Sequence, residues 1–346
     1  MRRFRVVLPA TMLFCLAAAG QSPQETVPYT LHVYTDLVQI PALVLSPSRK
    51  TLPYVDTQKF RVSLDSGPLF EPAHVRLEGE DPITLAILLD LSIDQRNLPK
   101  TLSKDIASLV PGSLHPTDHI SLYALDCNLS RSATDLPADA DEIKERIDAL
   151  LQSPKPHGKR IHSTCANSVR LWGALGNIAG QISSLPGRRV ILAISSGYDG
   201  GDGVKWTDLK HFAAHKSIAI FGISMPSYDA AERFQFTGME NLFDLVCELT
   251  GGLVMRPKKQ ELPQALSRFV ELVRGRYILE FPRPANAAAG SHDLEVTLDK
   301  TKAFIRSSGI SFPLPDPAVL SDPTTVPSDT SRTPQLGKRH ALKQQE

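Results

Sequence analysis

Ile83-Thr-Leu-Ala-Ile-Leu-Leu-Asp90-Leu-Ser92-Ile-Asp94 is a near-continuous apolar run that ends in three oxygen-bearing side chains at alternate positions. A run this short and this apolar reads as a strand buried on both faces of a parallel sheet. Function in such sheets gathers at the carboxyl ends of the strands, so Asp90, Ser92 and Asp94 stand where a ligand would bind. Alternate spacing in a tight turn aims the three at one point, and hard oxygen donors suit Mg²⁺, Ca²⁺ or Mn²⁺ better than zinc. The same residue types also cap helices, and D-x-S-x-D is too short a motif to separate the two roles.

Outward from this run, strands alternate with helices as far as about Val273. Strands are expected at Ile83–Leu89, Ile120–Leu125, Val190–Ile194, Ile218–Ile223 and Gly252–Met255. Helical periodicity is expected around Leu98–Leu109, Ala140–Leu151, Ser168–Leu185, Asp208–Lys216, Leu242–Leu249 and Leu262–Val273. Such alternation implies βαβ crossovers and a doubly wound, mostly parallel sheet with helices on both faces. The segment before it, residues 21–80, is instead β-rich, with runs at Tyr29–Tyr34, Leu37–Leu45, Phe60–Leu64 and Ala73–Leu77 punctuated by Pro41, Pro47, Pro53 and Gly67. Strand character returns in residues 276–312, at Tyr277–Phe281, Asp293–Leu298 and Ala303–Ser307. Neither flanking group is large enough to be stable alone, so the α/β domain of residues 81–275 is expected to be inserted into a small discontinuous β-sandwich. Residues 313–346, rich in Pro, Ser, Thr and Asp, are expected to be a disordered tail.

With 38 basic against 37 acidic residues, no overall charge draws the chain to nucleic acid or to an anionic membrane. Arg2, Arg3 and Arg5 precede an apolar stretch from Val6 to Leu16 and then Ala17-Ala18-Ala19-Gly20, the pattern of a secretory signal peptide over residues 1–20. No second apolar segment approaches the length needed to span a bilayer, so the expected product is secreted or periplasmic, with no transmembrane anchor after cleavage. Export permits disulfides. Cys127 follows a predicted strand and Cys165 precedes a predicted helix near the same sheet edge, which pairs them, while Cys247 sits in an apolar helical pattern as a buried thiol.

The ordered set ITLAILLDLSID, GRRVILAISSGYDGGD at Gly187–Asp202, SIAIFGISM at Ser217–Met225 and LFDLVCELTGGLVM at Leu242–Met255, followed by RGRYILEFPRP, resembles the von Willebrand factor A (VWA) domain. The layout resembles the secreted bacterial, acidobacterial-type group in which that domain lies between β-rich segments. The resemblance implies a divalent-cation adhesion site, in which an Asp-x-Ser-x-Ser turn, a Thr from a second loop and an Asp from a third hold a metal and leave one position for a partner's acidic side chain. Asp90 and Ser92 carry over. Asp94 stands in place of the second Ser, Val169 falls at the Thr position with Thr164 and Ser168 as substitutes, and Ser196 stands in place of the third-loop Asp, with Asp199 and Asp202 further out. Together with Asp126, these acids would rebuild an altered cage for Mg²⁺ or Ca²⁺, or else the domain binds its partner without metal.

Catalytic patterns are weak by comparison. Ile194-Ser195-Ser196-Gly197 lacks the first glycine of a nucleophile elbow, the histidines form no H-E-x-x-H, and the glycines of Gly197–Gly203 lack the Lys-Ser/Thr ending of a phosphate loop. A non-enzymatic binding or adhesion protein acting on a protein or surface ligand is therefore expected, or a metal-independent structural or assembly module of the cell envelope. Trp172 is expected in the core, and Trp206, Phe234 and Phe236 near the ends of elements.

Overall fold

The computed structural model describes residues 32–34, 37–52, 54–91, 98–152, 170–199, 203–224, 242–314, 317–321, 325–327 and 333–337. Its strands are β1 (His32–Tyr34), β2 (Leu37–Leu45), β3 (Phe60–Leu64), β4 (His74–Leu77), β5 (Ile83–Asp90), β6 (His119–Leu125), β7 (Leu129–Pro137), β8 (Arg188–Ser195), β9 (Ala219–Ser224), β10 (Val254–Met255), β11 (Tyr277–Pro282), β12 (Gly290–His292), β13 (Leu294–Leu298), β14 (Phe304–Ser307), β15 (Ile310–Phe312) and β16 (Thr325–Pro327). Its α-helices are α1 (Leu102–Ala107), α2 (Leu109–Gly112), α3 (Ala140–Gln152), α4 (Leu171–Ile182), α5 (Trp206–His215), α6 (Leu242–Leu249), α7 (Leu262–Arg274) and α8 (Pro317–Ser321).

A six-stranded sheet in the order β10-β9-β8-β5-β6-β7 forms the centre, and every neighbouring pair in it is parallel except β6 with β7. All eight residues of β5 are buried, because helices cover both faces of the sheet. Leu85, Ile87 and Leu89 pack with α1, α3 and α7, while Ala86 and Leu88 pack with α4, α5 and α6. Each large aliphatic side chain so buried contributes about 1.5–3 kcal/mol, and the one polar residue before the end of the run, Thr84, is buried with its hydroxyl donating to the Pro186 carbonyl at 2.5 Å. Helix α7 shows how the outer layer is chosen. It opens with a proline in its first turn, and Leu262, Leu266, Phe269, Val270 and Val273 form a single buried stripe.

The flanking strands join into antiparallel sheets. One has the order β14-β2-β11-β4, and β3 pairs separately with β13, so early and late segments of the chain interleave around Ile40, Val44, Phe60, Val62, Leu279, Phe281 and Phe312. Strand β2 is buried on both sides, since Leu43 and Leu45 point into the α/β core while Ala42 and Val44 point into the sandwich. Where the chain passes between the two units, buried charges lock the crossing. Arg276 Nε and a terminal nitrogen each donate to Glu78 at 2.7 Å, with both side chains almost wholly buried. Next to them Arg274 donates to Asp118 at 2.5 Å and to the Gly79 carbonyl at 2.8 Å, and Asp118 also accepts the Ile83 N–H at 2.8 Å.

The mixed α/β class with its central, mostly parallel sheet and separate antiparallel sheets is the expected one. Three details differ. Strand β1, expected in the sandwich, pairs in parallel with β16. The segment Leu129–Pro137, unassigned from sequence, is the antiparallel edge strand β7. Parts of the expected disordered tail have regular structure or fixed contacts: the Gly337 N–H donates to the Leu64 carbonyl at 3.1 Å, and Leu336 packs on the sandwich core. Removal of part of the Leu336 side chain from water against that core accounts for the last exception. The expected signal peptide lies outside the described residues.

Candidate functional site

The chain turns from β5 to β6 on one side of the sheet and later returns to β8 on the other, so the gap between β5 and β8 is the switch point of the strand order. Ligands of open α/β sheets bind outside the carboxyl ends at such a point. Parallel pairing of Leu89 with Ile194 brings the next two residues, Asp90 and Ser195, face to face. Asp90 is 1% exposed and Ser195 wholly buried. The Ser195 hydroxyl donates to Asp90 Oδ2 at 2.5 Å, and Ser195 Oγ accepts the Gly197 N–H at 3.0 Å. Gly197 has φ +81°, and a Cβ there would lie 2.9 Å from the Phe243 side chain, so the sharp exit from β8 requires glycine.

Of the two adjacent serines, Ser196 was expected at the site, yet Ser195 is the one that meets Asp90. The pleat decides this, because successive side chains leave a strand on opposite faces. The Ser196 hydroxyl oxygen accepts the Tyr198 N–H at 3.4 Å. Asp199, expected as a completing cation ligand, accepts the Trp172 N–H through Oδ1 at 2.7 Å. Trp172 lies in the first turn of α4, whose own N-cap residue, Arg170, makes no side-chain cap. Asp199 therefore caps α4 from another loop, satisfying an N–H and placing negative charge at the positive end of the helix. Ser92, Asp94, Thr164, Ser168 and Asp202 lie outside the described residues.

A hard divalent cation takes six or more oxygens, with carboxylates supplying most of the charge. Asp90 is tied to Ser195, Asp199 is tied to the start of α4, and among the described residues no group of three His, Cys, Asp or Glu could hold a metal. What the arrangement does achieve is rigidity: a buried carboxylate and a hydroxyl pin the ends of β5 and β8, and a second carboxylate pins α4 to the loop after β8.

Beside this pin lies a pocket of about 360 Å³ lined by Trp172, Tyr198, Val204, Trp206 and Leu242, with Lys205 and Asp199 also on its wall. Trp172 is 4% exposed and packs towards Phe243, their ring centroids 6.4 Å apart, so it belongs to the core as expected while also forming the pocket floor. The convergence of Trp172 and Trp206 was not foreseen. Cys247 is a free, buried thiol, and burial pushes its pKa well up, which keeps it protonated and inert. Cys165, the expected partner of Cys127, lies outside the described residues.

Fold and site together define a doubly wound α/β domain carried on a β-sandwich, with a pinned and partly aromatic surface at the carboxyl edge of its sheet. No family model and no curated protein matches the chain. Among solved structures, the chain is similar to the conserved hypothetical protein BatB from Bacteroides thetaiotaomicron, at 14% identity over 55% of this chain and 98% of that one, with a TM-score of 0.39. It is similar to the manganese-loaded TRAP protein of Plasmodium vivax at 12% identity, covering 69% and 96% of the two chains with a TM-score of 0.38. The ArnB paralog VWA2 from Sulfolobus acidocaldarius gives 12% identity, coverage of 80% and 76%, and a TM-score of 0.36. Likeness at this level carries no inference about function.

Proposed function

We propose that this chain is an exported, non-enzymatic binding protein whose VWA-like domain engages a protein or surface partner through the loops at the carboxyl ends of β5 and β8, without needing a cation. The observation that carries this reading is the use of the two acids. Asp90 and Asp199 both serve to brace backbone elements around a surface at the switch point, which suits a preformed recognition face better than a metal cage. The same geometry speaks against Ser195 as an activated nucleophile, because its buried hydroxyl donates to a carboxylate and not to an imidazole. Export rests on the N-terminal pattern of charge and apolar residues, and no helix among the described residues is long and apolar enough to cross a membrane. The Cys127–Cys165 bridge belongs to the same proposal, supported by Cys127 being bonded and not a free thiol. It would tie the loop before α4 to the end of β6.

A photo-crosslinking residue placed at Tyr198, on the proposed face, and another at Lys300, in a sandwich turn, test the reading in the cells that make the protein. A discrete adduct from position 198 and none from position 300 is expected. The same adduct from both positions, or from position 300 alone, would refute the assignment of the face.

A further inference from the structure

The chain has two tryptophans among its 346 residues, and both line the pocket beside the Asp90–Ser195 pin. They come from different elements. Trp172 reaches it from the first turn of α4 and Trp206 from the first residue of α5, while Tyr198, Val204 and Leu242 close the remaining apolar wall. The volume of about 360 Å³ falls within the range of ligand-sized cavities and holds an aromatic side chain with room for a neighbouring group. Flat indole faces favour a second aromatic ring, in offset or edge-to-face contact.

Charge on the wall selects what accompanies the ring. Two helices begin here. The start of α4 already has its acid, since Asp199 accepts the Trp172 N–H. The N-cap residue of α5 is Lys205, an exposed cation on the pocket wall that makes no side-chain cap. Asp208, in the first turn of α5, is exposed and does not line the pocket. On the wall Asp199 is engaged by the start of α4, so among the described residues the charged group placed to meet an incoming anion is the exposed Lys205 ammonium.

We infer that this pocket receives an aromatic side chain of the partner protein whose neighbouring residue is acidic, the ring lying between Trp172 and Trp206 and the carboxylate meeting Lys205. This rests on the binding role proposed above and specifies the partner's chemistry. Tryptophan anchors of this kind dominate the energetics of protein interfaces.

Because both tryptophans line the site, intrinsic fluorescence of the full chain reads occupancy directly. The probe is N-acetyl-Phe-Asp-amide, with the Phe-Asn, Ala-Asp and Phe-Lys analogues as comparators. A saturable fluorescence change with Phe-Asp is expected, about two- to fivefold weaker with Phe-Asn or in Lys205→Met, the effect of an exposed ion pair. It should be absent with Ala-Asp and lost in Trp206→Leu, while Trp172→Phe and Trp206→Phe assign the signal. Lys205 is exposed, so its substitution tests the inference without threatening the fold. No saturable change with Phe-Asp, or equal binding of Phe-Lys, would overturn the inference. A position-198 adduct that persists in Trp206→Leu would overturn it while leaving the binding role intact. Peptide binding without any position-198 adduct would refute the binding role, and with it the assignment of the ligand to a partner protein, while leaving the pocket's preference for an aromatic-acidic pair standing.

Discussion

Ser195 gives its hydroxyl hydrogen to Asp90 at 2.5 Å across the switch point of the sheet, and both residues are buried. Removing either partner deprives the other of this hydrogen bond in a place water does not reach. Ser195→Ala is expected to cost about 1–3 kcal/mol, and the double variant with Asp90→Asn less than the sum of the two singles. Urea unfolding of the four proteins measures this; strict additivity would show that the contact is not energetically coupled.

Asp199→Ala removes a helix cap supplied by a distant loop. The expected loss is about 0.5–2 kcal/mol, and amide hydrogen exchange should rise first at Trp172 and its neighbours in α4. Exchange that rises evenly across the domain would argue against a local capping role.

At the crossing between the two units, Arg276→Met strands the buried Glu78 carboxylate. About 3–5 kcal/mol of destabilisation is expected, with much of it recovered in Arg276→Met/Glu78→Leu, where neither charge remains. Chemical denaturation distinguishes this from simple loss of packing, which the second substitution would not repair.

Asp81 joins Arg76 of β4 to Arg188 of β8. Burial alone would raise its pKa, but the hydrogen bonds and charges of Arg76 and then Arg188 outweigh that and hold it below the usual aspartate value. A carboxyl depressed in the folded state stabilises it above the unfolded pKa of about 3.9, and the contribution fades as pH falls through the lower folded value. The stability difference between wild type and Asp81→Asn should therefore be constant near neutral pH and shrink below about pH 4. A difference that persisted at lower pH would contradict the ion-pair account.

Much of the fold was legible because burial leaves a simple trace. Leu85–Leu89 is apolar throughout since both its faces are covered, and the stripe of α7 repeats at helical spacing. Strand β7 was missed because Leu-Ser-Arg-Ser-Ala-Thr-Asp-Leu-Pro at a sheet edge buries only Ala133. At the site, Asp90 was readable from its position after an apolar run. The function of Asp199 was not, because its partner is a backbone N–H in another element, and backbone donors carry no sequence signature. Nor was the convergence of Trp172 and Trp206 on one pocket, which depends on how α4 and α5 lie against each other. Adjacent serines 195 and 196 differ only in the face on which they emerge, and a motif resemblance does not resolve that.

The central claim is that the carboxyl-edge surface is held by hydrogen bonds and not by a cation. Thermal melts of wild type and Asp90→Asn, in chelator and in millimolar Mg²⁺, Ca²⁺ or Mn²⁺, test it most directly, since an ion bound only by the folded state raises apparent stability. The account predicts that Asp90→Asn lowers the wild-type Tm by the same amount in every condition and that no ion raises it. A rise in wild type with one of these ions, abolished in Asp90→Asn, would contradict it and restore Asp90, with Ser92 and Asp94, as a cation site.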